Sequence, residues 1–205
     1  MAPPLRRADP PHWLWVALVL LLVSVGAWGA LWSLGRPSGT SGAGPAPDLG
    51  WEVPDFRLVD QDGRPFGRAD LAGRPWVAGF VFTRCTTLCP RVVERMSRIQ
   101  KATSVALVCF SVDPENDTPE ALKAFARAHG ASPDRWRFLT GDRKAVYELV
   151  SKGFRLSVSP NPGADPGDAV THSDRLVLVG PDFRIRGAYS SGDPEAMGRL
   201  MEALK

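Results

Sequence analysis

Cysteine is scarce in this chain: three residues among 205, an odd number. At most one pair can close, so disulfides do not hold the fold together and one thiol is left over. Net charge is also small, a formal +3. No basic stripe runs along the sequence, which excludes a nucleic-acid surface as the main function. The most basic stretch, Arg84 to Lys101, is diluted by apolar residues and reads as the solvated face of a helix. No internal repeat is visible, which excludes a solenoid.

What the chain does have, first, is a long apolar run. Residues 13–34 carry no charge over 22 positions, close to the roughly 20 that a helix needs to cross a bilayer. Trp13, Trp15, Trp28 and Trp32 lie toward its ends, where indoles favour the interface. Arg6 and Arg7 precede the run and Arg36 follows it. This bias favours a cytoplasmic N-terminus at 1–12, a single-pass transmembrane helix at 13–34 and an exported body. The competing reading is a cleaved signal peptide with Val25-Gly26-Ala27 as its small-residue site. The length of the run, and a tryptophan just after such a cut, favour the anchor. No cysteine lies within the run or in the 35–50 stretch directly after it, which argues against a lipoprotein. Residues 35–50 are almost wholly Gly, Pro, Ser, Ala and Thr. They cannot bury a core and read as a flexible linker spanning roughly 20–25 Å on average. The folded body occupies 51–205.

That body is organised around Phe82-Thr83-Arg84-Cys85-Thr86-Thr87-Leu88-Cys89-Pro90. The apolar run Trp76 to Phe82 predicts a buried strand. Val92, Met96 and Ile99 recur at helical spacing after Pro90. Proline suits a first helical turn and keeps its predecessor out of the helical region, so Cys89 is expected at the N-cap. Cys85 then lies on the loop leaving the strand. A thiol at a helix N-terminus is easier to deprotonate. Two thiolates close together are soft ligands suited to Cu(I), zinc or an iron–sulfur cluster, and the same pair could instead form a disulfide.

Elsewhere, Phe56 to Phe66 reads as a hairpin turning at Asp62-Gly63, and Asp70 to Gly73 as a short connection. Val105 to Val112 is a second buried strand, closed by Asp113-Pro114. Thr118-Pro119-Glu120 opens a helix that Gly130 stops. Trp136 to Leu139 is a third strand, and Asp142 caps the next helix. Ser157 to Val170 reads as a long loop. The segments Arg175 to Val179 and Arg184 to Tyr189 form a second hairpin, and Asp193-Pro194-Glu195 opens the last helix. Strands alternating with helices predict an α/β fold with a largely parallel sheet covered on both faces. Ligands in such folds bind at the carboxyl ends of the strands, where the two cysteines and Asp113 all lie.

Among the remaining candidates, His172 is the sharpest. With Cys85 and Cys89 it would complete a trigonal site, and two thiolates with one imidazole suit copper in either oxidation state. The spacing alone leaves open whether His172 folds back to the cysteines or merely edges a strand. Asp113 either orients a ligand or ends a strand. His129 at a helix end, His12 beside the apolar run and Cys109 within a strand read as structural. The methionines sit at helical core spacing and form no export-type copper box.

The segments Phe82 to Pro90, Ser111-Val112-Asp113-Pro114-Glu115-Asn116-Asp117-Thr118-Pro119, and Thr171-His172-Ser173 leading into Leu178-Val179-Gly180-Pro181-Asp182 together resemble the Sco/SenC copper chaperones. The resemblance runs from Val53 to Lys205. It implies a thioredoxin-like domain with an extra N-terminal hairpin, tethered to the bacterial inner (cell) membrane with its body on the periplasmic or outer side. It implies copper ligands at Cys85, Cys89 and His172; the reading of the residues adds Asp113 behind them and a redox-active disulfide available between Cys85 and Cys89. It further implies delivery of copper to cytochrome c oxidase subunit II, or reduction of that subunit's thiols, with a separate thiol reductant as partner. A thiol–disulfide oxidoreductase or redox sensor of the same fold is the alternative. Two positions depart from the family pattern. Thr86 stands where proline usually follows the first cysteine, and Thr171 where aspartate often precedes the histidine.

Overall fold

The computed structural model describes residues 50–205. The expected span at 13–34, His12 and all but the last residue of the expected linker lie outside the described residues. Among the described residues no helix is long and apolar enough to cross a membrane.

Strands β1 (Arg57–Asp60) and β2 (Pro65–Gly67) form the expected first hairpin. Gly63 in its turn takes a positive φ of 77°, which a side chain would resist. Strand β3 (Trp76–Val81) leads to helix α1 (Cys89–Ala102), and β4 (Ala106–Ser111) to α2 (Pro119–Ala128). Strand β5 (Trp136–Thr140) precedes α3 (Arg143–Glu148), which runs on as one π-helical turn, Leu149–Gly153. Short strands β6 (Val158–Pro160) and β7 (Val170–His172) pair with each other. The hairpin β8 (Arg175–Val179) and β9 (Ile185–Ser190) comes before the last helix, α4 (Pro194–Ala203).

The seven-stranded sheet has the order β2-β1-β5-β4-β3-β8-β9. Only β3, β4 and β5 run parallel; β1 lies antiparallel on β5, and β8 antiparallel on β3. The expectation of a largely parallel sheet is therefore corrected to a mixed one. Parallel neighbours need a crossover helix, and only the two crossovers through α1 and α2 join strands that lie side by side. Hairpins finish both flanks. The thioredoxin-like α/β arrangement itself is as expected.

The three central strands carry the core. Every residue of β3 and β4 is buried, as continuous apolar runs covered on both faces should be. Phe80 stacks on Phe110 with ring centroids 5.9 Å apart, and Phe154 meets Phe80 edge-on at 5.0 Å. Each such ring contributes about 1.5–3 kcal/mol by leaving water. The helices that begin away from the site have conventional caps. Thr118 Oγ1 accepts from the Ala121 N–H, Asp142 from Ala145 and Asp193 from Glu195, each contributing about 1 kcal/mol. Helix α1 has no such side-chain cap.

Candidate metal centre

At the start of α1 the residue in cap position is Leu88, whose backbone is already near-helical at φ −89°, ψ −39°. The N–H groups of Arg91 and Val92 both return to its carbonyl. Cys89 is thus the first helical residue rather than the N-cap expected from Pro90, because the pre-proline bias is a preference that local bonding can override. What stands in for a cap oxygen is a sulfur. The Cys89 N–H donates to Cys85 Sγ at 3.3 Å, so the Cys85 sulfur sits on the positive end of the helix. Behind it, the Phe82 N–H donates to Cys89 Sγ at 3.4 Å. The loop therefore folds around both sulfurs, with Cys85 8% and Cys89 1% exposed.

His172 is brought there by the β6–β7 ribbon, whose first strand and Val170 fall within the Ser157 to Val170 stretch expected to be a loop. Val158 pairs with His172 and Pro160 with Val170. The imidazole stands edge-on against Phe82, 5.6 Å between centroids. Its Nδ1 lies 3.0 Å from the Ser173 carbonyl oxygen. A carbonyl only accepts, so Nδ1 carries the hydrogen and Nε2 is left to face the sulfurs, 3.6 Å from Cys89 Sγ. The two Sγ atoms and one ring nitrogen all lie within 4.8 Å of one another.

The two thiols differ in acidity. The Cys89 side chain hydrogen-bonds to Cys85 and holds its pKa well below the ordinary thiol value, assisted by backbone N–H groups and opposed by burial. The same contact, together with burial, pushes Cys89 up. Cys85 is the thiolate and Cys89 the proton-bearing partner. No disulfide joins them, and all three cysteines are free.

A family model described as SCO1/SenC matches residues 48–204. The chain belongs to the SCO1/SenC family. Its relatives include the SCO1 protein homolog of Bacillus subtilis strain 168, 38% identical over 148 residues, 69% of this chain and 75% of that protein. A Stutzerimonas stutzeri protein named for copper binding is 33% identical over 141 residues, 66% of this chain and 67% of its own length. Among solved structures, that of BsSco matches with a TM-score of 0.66 and 34% identity, over 77% of this chain and 95% of that one. BsSco is described as a member of the Sco family of cytochrome c oxidase assembly proteins, with an identified disulfide switch.

The other residues of this SCO1/SenC chain that the sequence singled out fall as follows. Asp113, at the end of β4, touches neither sulfur nor imidazole. Its carboxylate accepts from Arg84 Nη2 at 2.7 Å and Asn116 Nδ2 at 2.9 Å, so it steadies the residue before Cys85. Cys109 is fully buried in β4, where its sulfur accepts the Trp136 indole N–H at 3.2 Å. His129 ends α2 beside the Phe125 ring, and burial lowers its pKa, so the neutral imidazole is favoured there over the cation that a helix end would prefer.

Sequence reasoning passed over two contacts. Thr87 Oγ1 lies 3.8 Å from Cys85 Sγ and donates to Asp168 Oδ1 at 3.1 Å, joining the cysteine loop to the segment before β7. Asp117, fully buried, accepts from the Thr83 N–H at 3.2 Å and from the hydroxyls of Thr83 and Ser111 at 2.5 Å each. Its signal was a carboxylate between a strand end and a helix cap, one residue before Thr118.

Proposed function

We propose that this protein is a membrane-tethered copper chaperone. Cys85, Cys89 and His172 Nε2 hold Cu(I) or Cu(II) and pass it to the dinuclear copper site of cytochrome c oxidase subunit II or a similar copper protein. The observation that carries this reading is the convergence of two sulfurs and one correctly presented imidazole nitrogen within 4.8 Å. That donor set suits copper in both states, and relatives named for copper binding and oxidase assembly support it.

The chemistry follows from the asymmetry of the thiols. The Cys85 thiolate, less covered than Cys89, is the first contact for an arriving ion. Cys89 binds by losing its proton, as thiol ligands must, and His172 needs no reorientation because Ser173 already fixes its ring. Copper leaves by stepwise exchange onto thiolates of the target. A tether at 35–50 behind an anchor at 13–34 lets the body reach a target in the same bilayer, on the periplasmic or outer side of the bacterial cell membrane. An oxidised pair would not load, so a separate thiol reductant keeps it reduced.

One observation favours a second reading. A low-pKa thiolate backed by a buried thiol is also the arrangement of a nucleophile and its resolving cysteine, as in a thiol–disulfide oxidoreductase or redox sensor. Titration of the purified full chain with Cu(I) and Cu(II), beside Cys85→Ala, Cys89→Ala and His172→Ala, separates the two. One ion bound per chain, and lost in the cysteine variants, supports the chaperone. No binding, with turnover of a disulfide substrate, supports the enzyme.

A further inference from the structure

Two residues, Thr83 and Arg84, are all the chain between Phe82, the last residue anchored in the core, and Cys85. Phe82 is fixed from both sides: its ring is buried, and its N–H is held by Cys89 Sγ. The place of the Cys85 sulfur therefore depends on the path taken by two residues. Both are gripped from a single loop, the one that follows β4. Arg84 is held by Asp113 at 2.7 Å, but the guanidinium side chain is 40% exposed, and water screens such a pair. Thr83 is held by Asp117, which is buried completely.

Asp117 is not needed where it sits for the helix that follows. Thr118 already caps α2. Nor does it answer a buried cation: its partners are the Thr83 N–H, the Thr83 hydroxyl and the Ser111 hydroxyl. A carboxylate is costly to bury and is retained only where hydrogen bonds saturate it. Here both oxygens are saturated by groups at the carboxyl ends of two adjacent parallel strands, β3 and β4. Its own N–H donates to the Asp113 carbonyl at 2.9 Å, which ties the two gripping carboxylates into one turn.

We infer that Asp117 is a positioning residue of the metal centre, setting through Thr83 where Cys85 Sγ stands relative to Cys89 and His172. The inference rests on the copper reading for one of its readouts and is independent of it for another. Groups behind metal ligands typically change affinity by about 10–100-fold when removed.

The test uses the purified full chain with Asp117→Ala, Asp117→Asn, Thr83→Val and, as a control for stability alone, Asp142→Ala, which removes the cap of α3. Cu(I) affinity is read by competition with a chromophoric chelator. Asp117→Ala and Thr83→Val are expected to weaken binding by about tenfold or more. Asp117→Asn should recover most of it, since an amide still accepts from Thr83 and can donate to Ser111. Asp142→Ala should lower the melting temperature and leave affinity unchanged. Should Asp117→Ala fail to fold, Thr83→Val carries the same prediction. Affinity within twofold of wild type in Thr83→Val and Asp117→Asn, with Asp117→Ala either equal or unfolded, overturns the inference. If the wild-type chain binds no copper, the chaperone reading fails separately. Metal-free alkylation then decides: the preference of iodoacetamide for Cys85 over Cys89 should fall several-fold in Asp117→Ala and Thr83→Val, and an unchanged preference overturns the positioning role.

Discussion

The middle of the sheet and its carboxyl edge hold the same side chain in opposite chemical states. Cys109, at the centre of β4, has no exposed surface, and burial pushes its thiol up to about 12 against the opposing Trp136 indole. Cys85, just beyond the end of β3, meets a partner thiol and a helix N–H, and its pKa falls. In the middle of a strand the backbone groups are used by the ladder, and only packing remains for the side chain. At the edge, strand ends release the chain, and a helix start supplies free N–H donors. The functional site is where the fold runs out of internal partners, which is why thiol chemistry belongs there and not 24 residues later in sequence.

That contrast can be broken in four ways, taken from the largest effect downward. Alkylation of the native, metal-free chain should label Cys85 first, with Cys89 far slower and Cys109 reacting only after unfolding. Because the Cys85 pKa is lowered, its thiolate stays populated as pH falls. Its rate should drop less than about tenfold between pH 8 and pH 5, where an ordinary thiol loses about a factor of ten per unit. Mass spectrometry of timed samples gives both numbers. Next, Cys85→Ala and Cys89→Ala should each weaken Cu(I) binding by more than about 100-fold, whereas Cys109→Ala stays within twofold, as read by chelator competition. Conversely, Cys109→Ala should destabilise the fold by about 2 kcal/mol, because it leaves a small void and an indole N–H without its acceptor. Urea unfolding checks this. The smallest effect is expected at Gly167→Ala. A Cβ there would stand 2.5 Å from Thr86 Oγ1, so the threonine must turn aside, at about 1 kcal/mol by urea unfolding and with little change in copper affinity.

The two regions also differed in how plainly the sequence displayed them. The sheet centre was easy to read, because Trp76 to Val81 and Ala106 to Ser111 are continuous apolar runs and nothing but a buried strand suits them. Both hairpins and the caps at Thr118, Asp142 and Asp193 were legible for the same reason: local chemistry decides them. The edge was harder. Cys85 and Cys89 announced themselves by spacing, but His172 lies 83 residues from Cys89, and no local pattern measures that distance. Resemblance to a family supplied it. The ribbon that delivers the imidazole, Val158–Pro160 on Val170–His172, is three residues a side, and the Pro, Gly and Asp between its strands made Ser157 to Val170 read as loop. Asp113 stood out because it ends a strand, yet its carboxylate reaches Arg84 and Asn116 rather than a sulfur or the imidazole. Asp117 did not stand out, because its role rests on burial against Thr83 and Ser111, and burial of one polar residue in a loop leaves no periodicity.

X-ray absorption at the copper edge of the Cu(I)-loaded full chain tests the central claim most directly. Two sulfur neighbours and one nitrogen per copper, with the nitrogen lost in His172→Ala, is the result predicted here. A shell containing sulfur alone, unchanged by His172→Ala, would contradict it.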